Sequence, residues 1–122
     1  MSNRSSEQFK YTQYRPEQIR LMNILRDAGL AIRAEYPYVV NDDLNNRPQQ
    51  YLADLVIMSS PLTIIEIQGA SHDSEKGMLK TRRKKELSEK IGFRFLEIPA
   101  QMAKEYPEQT LLDMVLRELK RK

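Results

Sequence analysis

Two short apolar runs in this chain each carry a single carboxylate. Asp54 interrupts Tyr51-Leu-Ala-Asp-Leu-Val-Ile57, and eleven residues lie between it and Glu66, which interrupts Thr63-Ile-Ile-Glu-Ile67. These apolar runs read as strands, and Met58-Ser-Ser-Pro-Leu62 between them is short enough for a hairpin. Carboxylates are depleted in strands and costly to bury unless paired, hydrogen-bonded or bound to metal. Two of them on neighbouring strands would converge on one point, where a hard divalent cation is the natural neutraliser. The plainer alternative is a pair of edge carboxylates that face solvent or are matched by Arg33 or Arg94.

The rest of the chain supplies the frame for that pair. Residues 1–14 are a polar arm, with Arg4 and Lys10 available to phosphate, and 15–122 form one domain. Pro16 suits a first helical turn, Glu17 complements the helix dipole there, and Gly29 ends the helix. Glu17, Leu21, Ile24 and Ala28 share one face, which turns Glu17 inward at the helix mouth. A strand follows at about 30–40, bent at Pro37, and then a turn-rich loop at 41–50. Beyond Gly69, Asp73 or Ser74 caps a helix over roughly 74–91 that Gly92 breaks. The alternating Phe93–Ile98 is a further strand, and Leu111, Leu112, Val115, Leu116 and Leu119 make an amphipathic C-terminal helix from about Pro107. A helix at 74–91 is long enough to cross the sheet and return the last strand parallel to the third. The expected fold is therefore α/β in the order α-β-β-β-α-β-α: a mixed four-stranded sheet flanked by helices, plus a C-terminal helix.

Charge distribution says more than its sum. The net formal charge is only +3, yet Lys80, Arg82, Arg83, Lys84 and Lys85 place five cations in six consecutive residues. Such clustering suggests a polyanionic partner, or a solvated helix face. Cysteine is absent, which excludes disulfides and thiolate zinc sites and fits a cytoplasmic setting. No apolar run approaches a membrane span, and the N-terminus lacks the apolar core of a signal peptide.

Asp54 and Glu66-Ile67-Gln68 on consecutive strands of this order resemble the PD-(D/E)XK nuclease superfamily. The segment Glu66-Ile-Gln-Gly-Ala-Ser-His72, the basic helix with Lys80-Thr-Arg-Arg83 and Leu87, and Gly92-Phe-Arg-Phe-Leu96 are similar to the very-short-patch-repair (Vsr) endonucleases. Glu17 in Arg15-Pro-Glu-Gln-Ile-Arg20 matches an upstream helical Glu of those proteins. The resemblance covers about residues 15–99 and implies a restriction-endonuclease-like αβββαβ core. It also implies metal-dependent hydrolysis of phosphodiester bonds in DNA, of repair, recombination or restriction type. Asp54, Glu66 and the Ile67 carbonyl would hold Mg²⁺ or Mn²⁺, and Glu17 a second ion or a ligand water. His72, Arg82, Arg83, Lys84 and Lys85 would bind phosphate. Chains this short in the superfamily are often nicking enzymes or dimeric junction resolvases. The C-terminal apolar stripe either pairs two copies in a homodimer or covers the sheet.

Two positions depart from the pattern. Gln68 stands where the superfamily has lysine, and Lys80 stands where the Vsr-like helix is acidic. Glutamine orients water but supplies no positive charge, so the expectation is that Lys80 takes the electrostatic role and that Glu17, Asp54, Glu66, Gln68 and Lys80 form the catalytic group. The same Gln68 supports a different class of function: a catalytically inactive nuclease fold that binds nucleic acid or regulates. The tyrosines would stack on bases or pack, and the methionines pack.

Overall fold

The computed structural model describes residues 14–69 and 75–121. Most of the polar arm, His72 and the expected cap at Asp73 or Ser74 lie outside that range. Within it the chain runs α1 (Pro16–Asp27), β1 (Ile32–Asp42), β2 (Arg47–Ile57), β3 (Thr63–Gln68), α2 (Glu75–Lys90), β4 (Arg94–Pro99), α3 (Ala100–Glu105) and α4 (Glu108–Lys120). The expected order holds, with the six-residue α3 added between β4 and the last helix. No described helix is long and apolar enough to cross a membrane.

The sheet order is β1-β2-β3-β4, antiparallel for the first two pairings and parallel for β3 with β4. The crossover through α2 thus returns the fourth strand beside the third. Glycine sets the end of both long helices that precede strands. At Gly29 (φ +90°) the Gly29 N–H donates to Arg26 O and the Leu30 N–H to Leu25 O. At Gly92 (φ +97°) the Gly92 N–H donates to Glu89 O and the Phe93 N–H to Ser88 O. Both are the paired closure that a left-handed residue after a helix allows.

Side chains divide between two faces. Leu21, Met22, Leu25, Leu55, Ile57, Ile65, Ile67, Ile98, Leu111 and Val115 fill the side covered by α1, α3 and α4. Tyr38, Val40, Ala53, Val56, Ile64, Leu87 and Phe95 fill the side covered by α2. Leu111 and Val115 of the C-terminal stripe lie in the first group at 0% exposure, so that part of the stripe packs over the sheet, with Leu112 and Leu119 partly buried against it. Ala28, expected on the inward face of α1, is the exposed C-cap, and Gln18 is buried instead. Met22 packs in the core, whereas Met58 and Met78 are exposed.

The expected loop at 41–50 is mostly strand. Asn41 pairs with Pro48 and Asp42 with Arg47, so only 43–46 turn. Residues 43–50 are exposed, and a two-sided polar ladder has no alternation to betray it. Pro37 and Pro48 are accommodated where β1 and β2 pair as a two-stranded arm, with β1 at the sheet edge.

One irregularity positions the site. In a regular strand residues two apart share a face. Ala34 packs with the first core and Tyr36 with the second, although they are two apart, and Leu55 and Ala53 behave the same way. Both strands of the hairpin switch faces at one level, between Glu35 and Asp54, where the ladder skips a pair. Glu35 has φ +51°, a left-handed conformation that costs a non-glycine residue about 1 kcal/mol or more.

Candidate active site

The gap in the ladder frees the backbone of Asp54, and both of its polar groups are used in the site. Its carbonyl accepts from Gln18 Nε2 at 2.8 Å, and its N–H donates to Glu66 Oε2 at 3.0 Å. Gln18 Nε2 also reaches Glu35 Oε1 at 3.4 Å, which ties α1 to the strained residue. Asp54 Oδ2 in turn accepts the N–H of Ile67 at 2.7 Å. Strands β2 and β3 pair only from Leu55↔Ile65 to Ile57↔Thr63. Where they part, each strand's carboxylate holds a backbone N–H of the other. The reciprocal clasp explains how two acids persist in apolar strands: their hydrogen bonds offset part of the burial cost.

Two cations pair with the acids, and neither is Arg33 or Arg94. Lys84 Nζ forms an ion pair with Glu66 Oε1 and also donates to Leu52 O at 2.7 Å. Its ammonium lies 5.6 Å from the centre of the Tyr51 ring. On the other side, Arg15 reaches Asp54 Oδ2 at 3.4 Å and donates to Ile67 O at 3.1 Å. Glu17 sits beside it, 3.6 Å from the same guanidinium, and makes no described contact with Asp54 or Glu66.

Glu66 is 8% exposed. Burial pushes its carboxyl above the usual range; Lys84 opposes the shift, and the Asp54 charge adds to it. The ion pair with Lys84 thus falls short of offsetting desolvation, which leaves a demand for more positive charge.

The turn of α2 that carries Lys84 is held from both sides. Ser88 Oγ donates to Lys84 O at 2.7 Å, so its only proton is used and Tyr38 is the donor in the 2.8 Å Tyr38–Ser88 hydrogen bond. Burial raises the Tyr38 hydroxyl to about 12, so it stays protonated in that role. Arg83, the preceding residue, pairs with Asp42 of the hairpin.

These contacts divide the basic run. Arg83 and Lys84 face inward against acids of the sheet. Lys80, Arg82 and Lys85 form no ion pair among the described residues, and Lys80 and Arg82 are exposed. Lys80, expected at the carboxylates, makes no contact with them; Lys84, one helical turn later, does. Lys80 and Lys84 lie four residues apart on one helical face, so spacing alone does not choose between them; the level at which α2 crosses the sheet does. Arg83, expected as a phosphate clamp, is engaged by Asp42. Gln68 donates to Glu97 Oε2 at 2.8 Å, and both line a cleft of about 590 Å³ together with Arg82 and Lys85. The sequence does not single out Arg15 or Gln18, and Tyr38, read as a stacking or packing residue, packs in the core and hydrogen-bonds Ser88. Arg15 and Gln18 flank Glu17 in the motif that raised it, and only the helix phase decides which of the three looks inward.

Among the described residues, no group of three or more His, Cys, Asp or Glu side chains could hold a metal ion by itself. The donor set is two carboxylates and one main-chain carbonyl. It fits a hard divalent ion, being all oxygen, and a positively charged group already rests on it: the Arg15 guanidinium bridges Asp54 Oδ2 and Ile67 O. No family model matches the chain, and no curated protein or solved structure matches it significantly.

Proposed function

We propose that this protein is a metal-dependent nuclease that hydrolyses phosphodiester bonds, with DNA as the substrate its motif order suggests. The observation that carries the reading is the clasp at the β2–β3 split. There Asp54 and Glu66 each hold a backbone N–H of the other's strand, Arg15 bridges Asp54 and the Ile67 carbonyl, Lys84 pairs with Glu66, and burial keeps the Glu66 carboxyl raised despite that pair.

In this reading Asp54, Glu66 and Ile67 O hold Mg²⁺ or Mn²⁺, which when bound supplies charge neutralisation at phosphate and a more acidic water. Lys84 provides the fixed positive charge that Gln68 lacks. An ammonium has three N–H donors; two go to Glu66 and Leu52 O, and the third is left for a phosphoryl oxygen as charge builds there. Gln68, with its amide nitrogen on Glu97, presents a carbonyl oxygen that orients water. Arg82 and Lys85 contact phosphates outside the centre, so affinity falls steeply with salt through counterion release. Either a single chain nicking one strand or a homodimer acting on two is compatible with this centre.

A second reading rests on a specific observation. Arg15 and Lys84 neutralise both carboxylates without any metal, so a catalytically inactive nucleic-acid-binding module has its own electrostatic reason to keep Asp54 and Glu66. The deciding experiment incubates supercoiled plasmid and a panel of branched DNAs with Mg²⁺, Mn²⁺ or EDTA, beside Asp54→Ala and Glu66→Ala. Metal-dependent cutting lost in both variants supports the nuclease. Salt-sensitive binding without cutting in either metal overturns it in favour of the binding module.

A further inference from the structure

We infer that Arg15 and the divalent ion compete for one seat, so that Arg15 sets the metal affinity of the centre. The inference rests on the nuclease reading above and goes one step further, to the residue that controls loading. Arg15 lies immediately before α1, with Pro16 after it. Its guanidinium makes two of the three contacts that the nuclease reading gives the metal, to Asp54 Oδ2 at 3.4 Å and to Ile67 O at 3.1 Å.

A guanidinium and a divalent ion cannot both occupy the space between those two oxygens. Direct coordination needs distances of about 2.0–2.6 Å, inside the radius at which the Arg15 nitrogen stands. Asp54 Oδ2 also accepts the Ile67 N–H, so with Arg15 in place the oxygen already carries two donors. The side chain has somewhere to go. It is 41% exposed, and Glu17 already lies 3.6 Å from its other terminal nitrogen. Arg15 is thus an internal counterion for the unloaded site. Lys84, only 14% exposed and held to Glu66 and Leu52 O, stays when the metal enters. The two cations differ accordingly: one yields its place, the other remains.

The test is calorimetric titration of the full chain with Mn²⁺, alongside thermal melts in EDTA and in Mn²⁺, for wild type, Arg15→Ala, Arg15→Gln and Asp54→Ala. Expected is one-site binding that is about three- to tenfold tighter in both Arg15 variants, the scale of one partly exposed charged contact. The same variants should melt lower than wild type in EDTA and gain more from Mn²⁺, a pattern that mere loss of structure would not produce. Equal Mn²⁺ affinity in wild type and Arg15→Gln, with binding lost in Asp54→Ala, overturns the competition and leaves the metal centre standing. Weaker binding in both folded Arg15 variants also overturns it, because Arg15 would then support the seat. No Mn²⁺ binding by wild type or by either Arg15 variant removes the metal reading itself, and the competition with it.

Discussion

Arg83 and Lys84 are neighbours on α2, and each meets a carboxylate of the sheet, yet the two pairs have opposite characters. Asp42 at the hairpin tip gathers Arg83, the Leu44 N–H at 3.1 Å and Asn45 Nδ2 at 3.0 Å. The hydrogen bond from Arg83, helped by these local donors, holds its carboxyl below the usual carboxylate range. Glu66 has Lys84 and the Asp54 N–H, but burial dominates and a second carboxylate stands beside it, so its carboxyl is pushed the other way. The contrast separates two uses of one motif, an acid on a strand and a base on the facing helix. Where the acid's needs are met, the pair locks the hairpin to α2. Where they are not, the acid's carboxyl stays raised despite its base.

The sharpest way to break the comparison is to remove the two bases in turn. Lys84→Met is expected to cut single-turnover cleavage by roughly 10²–10³-fold, the range seen when one group that stabilises transition-state charge is lost. Arg83→Met should leave cleavage per folded molecule within about twofold, as for a residue away from the chemistry, while lowering the melting temperature. Equal losses of turnover in both would show that the two pairs are not divided in this way.

Stability against pH tests the opposite shifts directly. The contribution of Asp42, whose folded pKa is depressed, is present above the ordinary Asp range and lost as pH falls through the folded value. Thermal melts should therefore show the gap between wild type and Asp42→Asn widest near neutral pH and closing in acid. For Glu66 the sign reverses. Its raised folded pKa favours the fold below the ordinary Glu range, and that advantage is lost as pH rises through the folded value. Glu66→Gln in EDTA should thus melt above wild type at neutral pH, with the difference vanishing in acid. A gap that instead widens in acid would contradict the dominance of burial at Glu66.

Two smaller effects refine the picture. Tyr38→Phe should cost about 1 kcal/mol in denaturant unfolding, the usual net worth of one hydrogen bond, because Ser88 keeps its bond to Lys84 O. Lys80→Ala should change turnover by less than about twofold and only reduce the salt slope of DNA binding, by about one unit if it meets a phosphate. A collapse of turnover in Lys80→Ala would return the electrostatic role to the residue the sequence first pointed to.

Much of the fold was legible because its signals are local. The apolar run at Thr63–Ile67, the alternation over Phe93–Ile98, glycines at 29 and 92, and the apolar spacing of α1 and α4 each report on a few adjacent residues. The 41–50 segment failed because an exposed two-stranded arm buries neither face and leaves no period to read. The six-residue α3 was missed because so short a helix barely repeats its period; Arg20 caps it from α1, donating to Ala103 O at 2.9 Å and Tyr106 O at 2.7 Å. At the site, Asp54 and Glu66 stood out as acids in apolar runs, and their meeting followed from strand adjacency. The identity of the cations did not.

That division has one physical origin. The order of elements, the parallel return of β4 and the pairing of Asp54 with Glu66 follow from periodicity and connection length, which the sequence by itself determines. Tertiary structure alone decided that Lys84 and not Lys80 meets Glu66, that Arg15 lies on Asp54 and Ile67, and that Gln18 rather than Glu17 is buried. Each depends on how a helix is rotated about its axis or shifted along it by a turn, and on the face switch at Glu35 and Asp54. Those placements are set by packing across the sheet, a sum over many distant side chains that no local pattern encodes.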